Sequence, residues 1–278
     1  ISPLYGGTFL DCTFGQGGYS KKILEKKNNK IIAIDRDEDV WIFAKKLEKK
    51  YKNRFHFLNI KFSEINKVKI NLKDLRGIIF DLGYSINQIK DLSKGLSFKS
   101  TGKLNMKMGL NNFSCHEVIA NMSESNLNKI FKYYGDEKYS KQIARKIVKI
   151  REKKTINTED LTKIIDSVKR YKNYKINNST KVFQALRIFV NKEISELING
   201  LINAFYLIPV GGIIAVVTFH SIEDKIVKFF FKNYSEINNS SRYVPAKESN
   251  IRCFDLQNKK PITPNFEELK LNPPSRSA

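Results

Sequence analysis

Along the first 81 residues, short apolar runs alternate with segments whose apolar positions recur at helical spacing. Gly7–Cys12, Lys30–Asp35 (KIIAID), Phe55–Asn59 and Arg76–Asp81 (RGIIFD) read as strands, and two of these runs close on an aspartate. Between them Ser20–Lys27 reads as a helix, and Glu38–Tyr51 sets Val40, Phe43, Ala44 and Leu47 on one helical face. The pattern resumes near residue 211. Gly212–Phe219 (GIIAVVTF) predicts a central strand, and Ser221–Lys232 a helix with Ile222, Ile226, Phe229 and Phe230 on one side. Strands that are apolar on both faces and alternate with helices predict an α/β fold with a parallel sheet covered on both sides.

The intervening stretch has a different character. Residues 91–112 read as a loop rich in Gly, Ser and Asn, and 123–134, 136–152, 158–170 and 180–206 as helices. Thr158 followed by Glu159 and Asp160 marks a helix start, and Pro209 with Gly211 and Gly212 ends the last helix. The expected organisation is a discontinuous sheet domain, residues 1–90 and 191–278, interrupted by a helical domain at 91–190.

Composition adds a partner to this outline. The 278 residues carry 50 Lys plus Arg against 28 Asp plus Glu, a net charge of +22. Residues 91–190 hold 21 basic and 9 acidic side chains, so +12 of the excess lies in the helical stretch. In 136–152, Lys138, Lys141, Arg145, Lys146, Lys149 and Arg151 flank Ile143, Ile147 and Ile150. Any one of these is an ordinary solvated side chain, but the concentration favours a grip on nucleic-acid phosphates. The longest apolar run, Gly211–Phe219, is far shorter than the roughly 20 residues of a membrane helix, and no signal peptide is expected. Cys12, Cys115 and Cys253 are scattered, so neither a disulfide framework nor a zinc site is expected, and a reducing compartment fits.

The chemistry concentrates at strand ends. In Asp11–Ser20 (DCTFGQGGYS), three glycines between a strand and a helix allow a ligand close to the backbone and to free helix-start N–H groups. Asp35, 17 residues beyond Gly18, ends the next strand, where an acid holds ribose hydroxyls. Asp81 ends a further strand. No G-x-x-x-x-G-K-[ST] pattern is present, which argues against triphosphate hydrolysis. NAD, FAD and S-adenosylmethionine remain, and the glycine spacing leans to the last.

At these motifs the chain resembles the bacterial 16S rRNA (cytosine-N4) methyltransferases, the RsmH or MraW family. The likeness runs through DCTFGQGGYS (11–20), AIDRD (33–37), DLGYSINQIKD (81–91), KGLSF (94–98), GKLNMKMG (102–109), YGDEKYSKQIARKIV (134–148), FQALRIFVNKE (183–193), TFHSIEDKIVK (218–228) and NPPSRSA (272–278). The resemblance implies a class I methyltransferase Rossmann-like sheet with an inserted helical domain. It also implies methyl transfer from S-adenosylmethionine to the exocyclic N4 of a cytosine in small-subunit rRNA. By position, Gly17, Gly18, Tyr19, Asp35, Phe62, Asp81 and Gln88 match the family's cofactor contacts. Tyr19 replaces a usual His, Ile86 and Asn87 replace Ser and Pro, and Asn105 and Lys107 replace Asp and Arg.

Cytosine N4 is a poor nucleophile, so transfer requires alignment and a route for the amine proton. Asp81 is the candidate for that acid, with a purely cofactor role equally open, and Tyr84 is placed to stack on the base. His220 follows the strand at 212–219 at the ligand-binding edge and is the second catalytic candidate, a structural role being its alternative. A cytosine within folded RNA must be looped out to react. Lys94, Lys107, Lys141, Arg145, Lys149, Arg187 and Arg276 are the candidate RNA contacts, and no metal is expected. The expected partner is small-subunit rRNA or the small ribosomal subunit, without a membrane, and with monomer and homodimer both open. Bacterial cytoplasm is the expected location, an organelle matrix the alternative. A non-catalytic RNA-binding relative and a nicotinamide oxidoreductase are the competing readings.

Overall fold

The computed structural model describes residues 6–277 except 70, 86, 87, 89, 90, 99, 101, 170–176, 236–252 and 259. The departures at Ile86 and Asn87, and the last residue of the expected 158–170 helix, lie outside the described residues. Five parallel strands form one sheet: β1 (Gly7–Asp11), β2 (Asn29–Ile34), β3 (Phe55–Leu58), β4 (Leu75–Asp81) and β5 (Ile213–Val217), in the order β3-β2-β1-β4-β5. This is the expected α/β sheet. Contrary to expectation, β5 is not central but stands at the edge of the described sheet, its five residues only half buried.

Helices α1 (Gly18–Leu24) and α2 (Trp41–Lys50) cover one face. Phe9, Ile31, Ala33 and Ile79 point to it and meet Leu24, Ala44 and Leu47. The opposite face, with Leu10, Ile34, Ile78 and Phe80, is covered by α8 (Glu193–Leu207) and α9 (Ser221–Ser235) through Leu197, Leu201, Ala204, Val227 and Phe230. Burial of alternate residues on both faces is what the continuous apolar strands require.

A third apolar cluster is built from residues 96–190 alone. It joins α3 (Cys115–Asn121), α4 (Glu124–Gly135), α5 (Ser140–Arg151), α6 (Thr158–Val168) and α7 (Thr180–Asn191) around Leu127, Phe131, Ile143, Ile147, Leu161 and Leu186. Helix α3 falls just beyond the expected 91–112 loop and was not expected. Its start is nevertheless written locally, because Ser114 and Glu117 form a capping box. The expected single helix over 180–206 is two helices. Lys192 takes φ 52°, a left-handed conformation that ends α7 and redirects the chain into α8.

The break at Lys192 is fastened to the sheet. The side chain of Asn191 is fully buried, accepts from Met108 N at 2.9 Å and donates to the Met106 and Arg187 carbonyls at 2.9 and 2.8 Å. Arg36, the first residue after the β2 acid, donates to the Asn191 carbonyl at 2.9 Å. Gly109 passes so close that a Cβ there would lie 1.8 Å from the Arg36 carbonyl oxygen, at φ +75°. Gly109→Ala should therefore cost about 2–4 kcal/mol, from backbone strain and overpacking together. Urea titration of the variant checks this, and a loss below about 0.5 kcal/mol would mean that the crossing yields.

Candidate active site

The parallel strands bring Asp11, Asp35 and Asp81 to the same edge. β1 lies between β2 and β4, with Asp11 opposite Ala33 on one side and Ile79 on the other. Two-residue alternation places Asp11 with Phe9, Asp35 with Ala33 and Asp81 with Ile79, all toward the α1–α2 face. Three carboxylates thus form a staggered row, Asp35 and Asp81 standing two residues further along their chains than the level of Asp11 between them.

Each is held differently. Asp11 is fully buried, and its Oδ2 accepts from the Ser20 hydroxyl at 2.6 Å. Burial raises its pKa to about 6 against the Ser20 and Thr13 hydrogen bonds, with Asp35 adding to the rise. Asp35 accepts from Gly15 N at 2.8 Å and from Asp37 N at 2.9 Å, so it fastens the glycine turn to β2. Burial raises its pKa as well. Each of its oxygens keeps a further lone pair for a ligand hydroxyl. Asp81 is the unsatisfied member. Its backbone N–H donates to Thr13 Oγ1 at 2.7 Å, while its Oδ1 is buried without a hydrogen-bond partner among the described residues. Desolvation, then the neighbouring Asp11 and Glu223 charges, raise its pKa to about 6.

The glycine turn runs beneath this row. Gly17 at φ 75° begins α1 and packs on Phe14 and Leu47, whereas Gly18 faces open space. Tyr19 is 41% exposed, and burial of its hydroxyl, with the Asp81 and Asp11 charges, pushes its pKa up to about 12. A cleft of about 190 Å³ opens beside Gly15 and Gln16, lined also by Val40, Phe43, Ser85 and Gln88. Gln88 and Lys94 both bind Asp37 across it, Lys94 at 3.2 Å, and Lys94 also pairs with Asp39.

A second group gathers at the β4–β5 side of the same edge. Tyr84 follows Asp81 by three residues, and the Arg187 guanidinium lies 4.6 Å from its ring centroid. Arg187 Nε and Nη2 donate to the two Glu193 oxygens at 2.8 and 2.9 Å. His220 Nδ1 accepts from Glu223 N at 3.4 Å, and its Nε2 lies 3.1 Å from Glu223 Oε1. Glu223 Oε2 in turn accepts from Phe219 N at 3.1 Å, so His220 and Glu223 together cap the start of α9. Glu193, His220 and Glu223 bring ligand-type atoms within 4.8 Å of one another, with Arg187 already neutralising Glu193.

Several expected roles change with this geometry. Phe62 is half-buried, with its ring edge-on to Phe80 at 5.6 Å and against Gly200. Lys94 and Arg187, expected to meet phosphate, are instead committed to Asp37 and Asp39 and to Glu193; Arg187 is only 8% exposed. Lys141, Arg145 and Lys149 do lie on the exposed face of α5, at four-residue spacing and without an ion-pair partner among the described residues. Arg276 is exposed in the 3-10 turn Pro273–Ser277, and Lys107 is half-buried. The sequence assigns no role to Asp11 or Glu193, although each stands in a quoted motif at a strand end or helix start, and it reads Glu223 only as an acid complementing the dipole of its helix.

The profile of the MraW methylase family matches residues 1–278. The chain belongs to the MraW methylase family. It is 42% identical over 283 residues to "Ribosomal RNA small subunit methyltransferase H" of Ehrlichia canis (strain Jake), covering 100% of this chain and 93% of that protein. A protein of the same name from Orientia tsutsugamushi (strain Ikeda) is 40% identical over 286 residues, covering 100% and 92%. Another from Afipia carboxidovorans is 37% identical over 281 residues, covering 100% and 84%. The family resemblance read from the motifs is borne out, and with it the methyltransferase class. Among the described residues, no helix is long and apolar enough to cross a membrane.

The raised Asp81 pKa has a consequence for stability. The native carboxyl holds its proton up to about pH 6, while the unfolded one releases it near 3.8. Between those values the native state binds more protons, so stability falls as pH rises, and the penalty persists above pH 6. Asp81→Asn should be more stable than the parent at pH 7.5, by about 1–2 kcal/mol after allowance for partial exposure, with the advantage shrinking toward pH 4. Urea titrations at the two pH values measure it. An advantage that is the same at both would show that Asp81 carries no folding penalty from its charge.

Proposed function

We propose that this protein transfers a methyl group from S-adenosylmethionine to the exocyclic N4 of a cytosine in small-subunit rRNA. The observation that carries the reading is the buried Asp81 Oδ1 at the end of β4, without a hydrogen-bond partner among the described residues, three positions before the exposed Tyr84 and at one end of the row of carboxylates. S-adenosylmethionine supplies an electrophilic methyl on a positively charged sulfur. The row Asp35–Asp11–Asp81 suits such a cation. It suits the pyrophosphate of a dinucleotide poorly, which separates this reading from a nicotinamide oxidoreductase.

The residues divide the work by position. The Gly18–Tyr19 backbone and Asp35 hold the cofactor, Asp35 offering its remaining lone pairs to hydroxyls. The Tyr84 ring carries the target base. Asp81 accepts a hydrogen bond from the amine, which raises electron density on N4 and gives the proton a destination as the new bond forms. A carboxyl with a pKa near 6 is ionised at neutral pH yet takes a proton more readily than an ordinary aspartate. His220 Nε2 is likewise buried without a hydrogen-bond partner among the described residues, but it lies 3.1 Å from Glu223 Oε1, so a proton there is shared with Glu223 rather than offered to the amine. The inserted helices, with Lys141, Arg145 and Lys149 outward on α5, hold the RNA backbone. Such a reaction belongs in the compartment where small-subunit rRNA is assembled, the bacterial cytoplasm.

Two measurements test this. Asp81→Asn should keep cofactor affinity within a few fold and slow single-turnover transfer by about 10²-fold or more. The parent rate should rise with pH through about 6 as the carboxylate ionises. A variant rate that recovers fully at saturating S-adenosylmethionine would reduce Asp81 to a cofactor contact. Replacing Lys141, Arg145 and Lys149 together by Gln should lower the slope of log K for rRNA against log salt by about 2–3. An unchanged slope would mean that this face of α5 meets only solvent.

A further inference from the structure

Tyr84 combines two properties that rarely occur together. It is 46% exposed, yet its ring lies against a side chain that is itself almost completely buried. Arg187 is 8% exposed and gives two parallel hydrogen bonds to Glu193, the tightest arrangement available to a guanidinium and a carboxylate. Burial works against the Arg187 charge, but Glu193, together with Tyr84 and Glu223, raises the pKa above its usual value, so the group under the ring stays a cation.

The pairing depends on the broken helix. In an unbroken α-helix, residues six apart are separated by about 600° of rotation, which leaves their side chains roughly 120° apart. Arg187 and Glu193 meet only because Lys192, at φ 52°, turns the chain between them. That turn is held from the opposite side by Arg36, which binds the Asn191 carbonyl next to the β2 acid. The clamp is thus built from the last turn of α7 and the first residue of α8, and it acts on a residue three positions beyond Asp81.

We propose that Arg187 is a positioning residue of the transfer site: gripped by Glu193, it fixes the Tyr84 ring as the platform on which the target pyrimidine stacks. This rests on the reading of Asp81 and Tyr84 as the base site. One ring face is taken by the guanidinium, and the ring's exposure leaves the other for a base. An aromatic already immobilised loses little freedom when the base arrives, so more of the stacking energy goes into holding N4 in line. The cation also draws electron density from the ring and steers a polar base to an offset stack.

The test uses the full-length protein, a 16S-type rRNA transcript within reconstituted small subunits, and single-turnover transfer at saturating S-adenosylmethionine. Tyr84→Leu should slow transfer by roughly 10- to 100-fold, the range of one lost base–aromatic stack. Arg187→Lys, which keeps the charge but loses the fork and the flat face, should slow it by roughly 3- to 30-fold. The double variant should be no slower than Tyr84→Leu, because Arg187 acts through the ring. Glu193→Gln, which loosens the clamp without emptying it, should slow transfer in the same direction and also add nothing to Tyr84→Leu. It serves should Arg187→Lys fold poorly. Cofactor affinity by calorimetry should be unchanged in every one of these variants. Losses that multiply in the double variants, or an Arg187→Lys or Glu193→Gln enzyme as fast as the parent, would overturn the proposal. A Tyr84→Leu enzyme with parental rate would remove the platform itself, while the outcome for Asp81→Asn reports separately on the amine site.

Discussion

Three carboxylates on three neighbouring strands, pointing the same way and largely out of water, form an arrangement that folding alone disfavours. Like charges raise one another's pKa, and burial raises them further, as Asp11 and Asp81 display. The surrounding structure serves to hold the row in place. Ser20 and the Thr13 amide satisfy Asp11, the Gly15 and Asp37 amides satisfy Asp35, and the glycine turn runs as close as it does because of those bonds. Only Asp81 is left with an oxygen unmet. An electrostatic cost concentrated at one edge of the sheet is the pattern expected where stability is given up for function.

The site is also the seam between the two parts of the molecule. The sheet contributes the acid row and Tyr84, and the helical part contributes Arg187. Arg36 reaches from the β2 end to the Asn191 carbonyl at the junction of α7 and α8. The end of β2 and the junction of α7 and α8 are therefore joined at one corner by a side-chain hydrogen bond as well as by the chain itself.

Much of this was legible in the sequence, for identifiable reasons. The strands announce themselves because a parallel sheet buried on both faces demands continuous apolar runs, and the run-ending acids at Asp35 and Asp81 mark its working edge. What the sequence hid depends on distant partners. Nothing local signals the break at Lys192, which lacks the Gly or Pro that usually marks one. Arg187 looked like a free basic residue because its partner lies across that break. Lys94 likewise finds Asp37 and Asp39 only through folding. The edge-on contact of Phe62 with Phe80 and its approach to Gly200 also join segments far apart in the chain, so the sequence carries no local sign of them. The α3 start, by contrast, is written locally, since Ser114 and Glu117 have the capping-box spacing.

The most direct test of the account is chemical. Small subunits whose rRNA has never met this enzyme are incubated with the purified protein and isotopically labelled S-adenosylmethionine, and the rRNA is then digested to nucleosides and resolved by mass spectrometry. Label should appear in N4-methylcytidine, near one equivalent per subunit and confined to one rRNA fragment. Label on a ring carbon, on a ribose oxygen or in ribosomal protein, or no label from a folded enzyme that binds the cofactor, would contradict it.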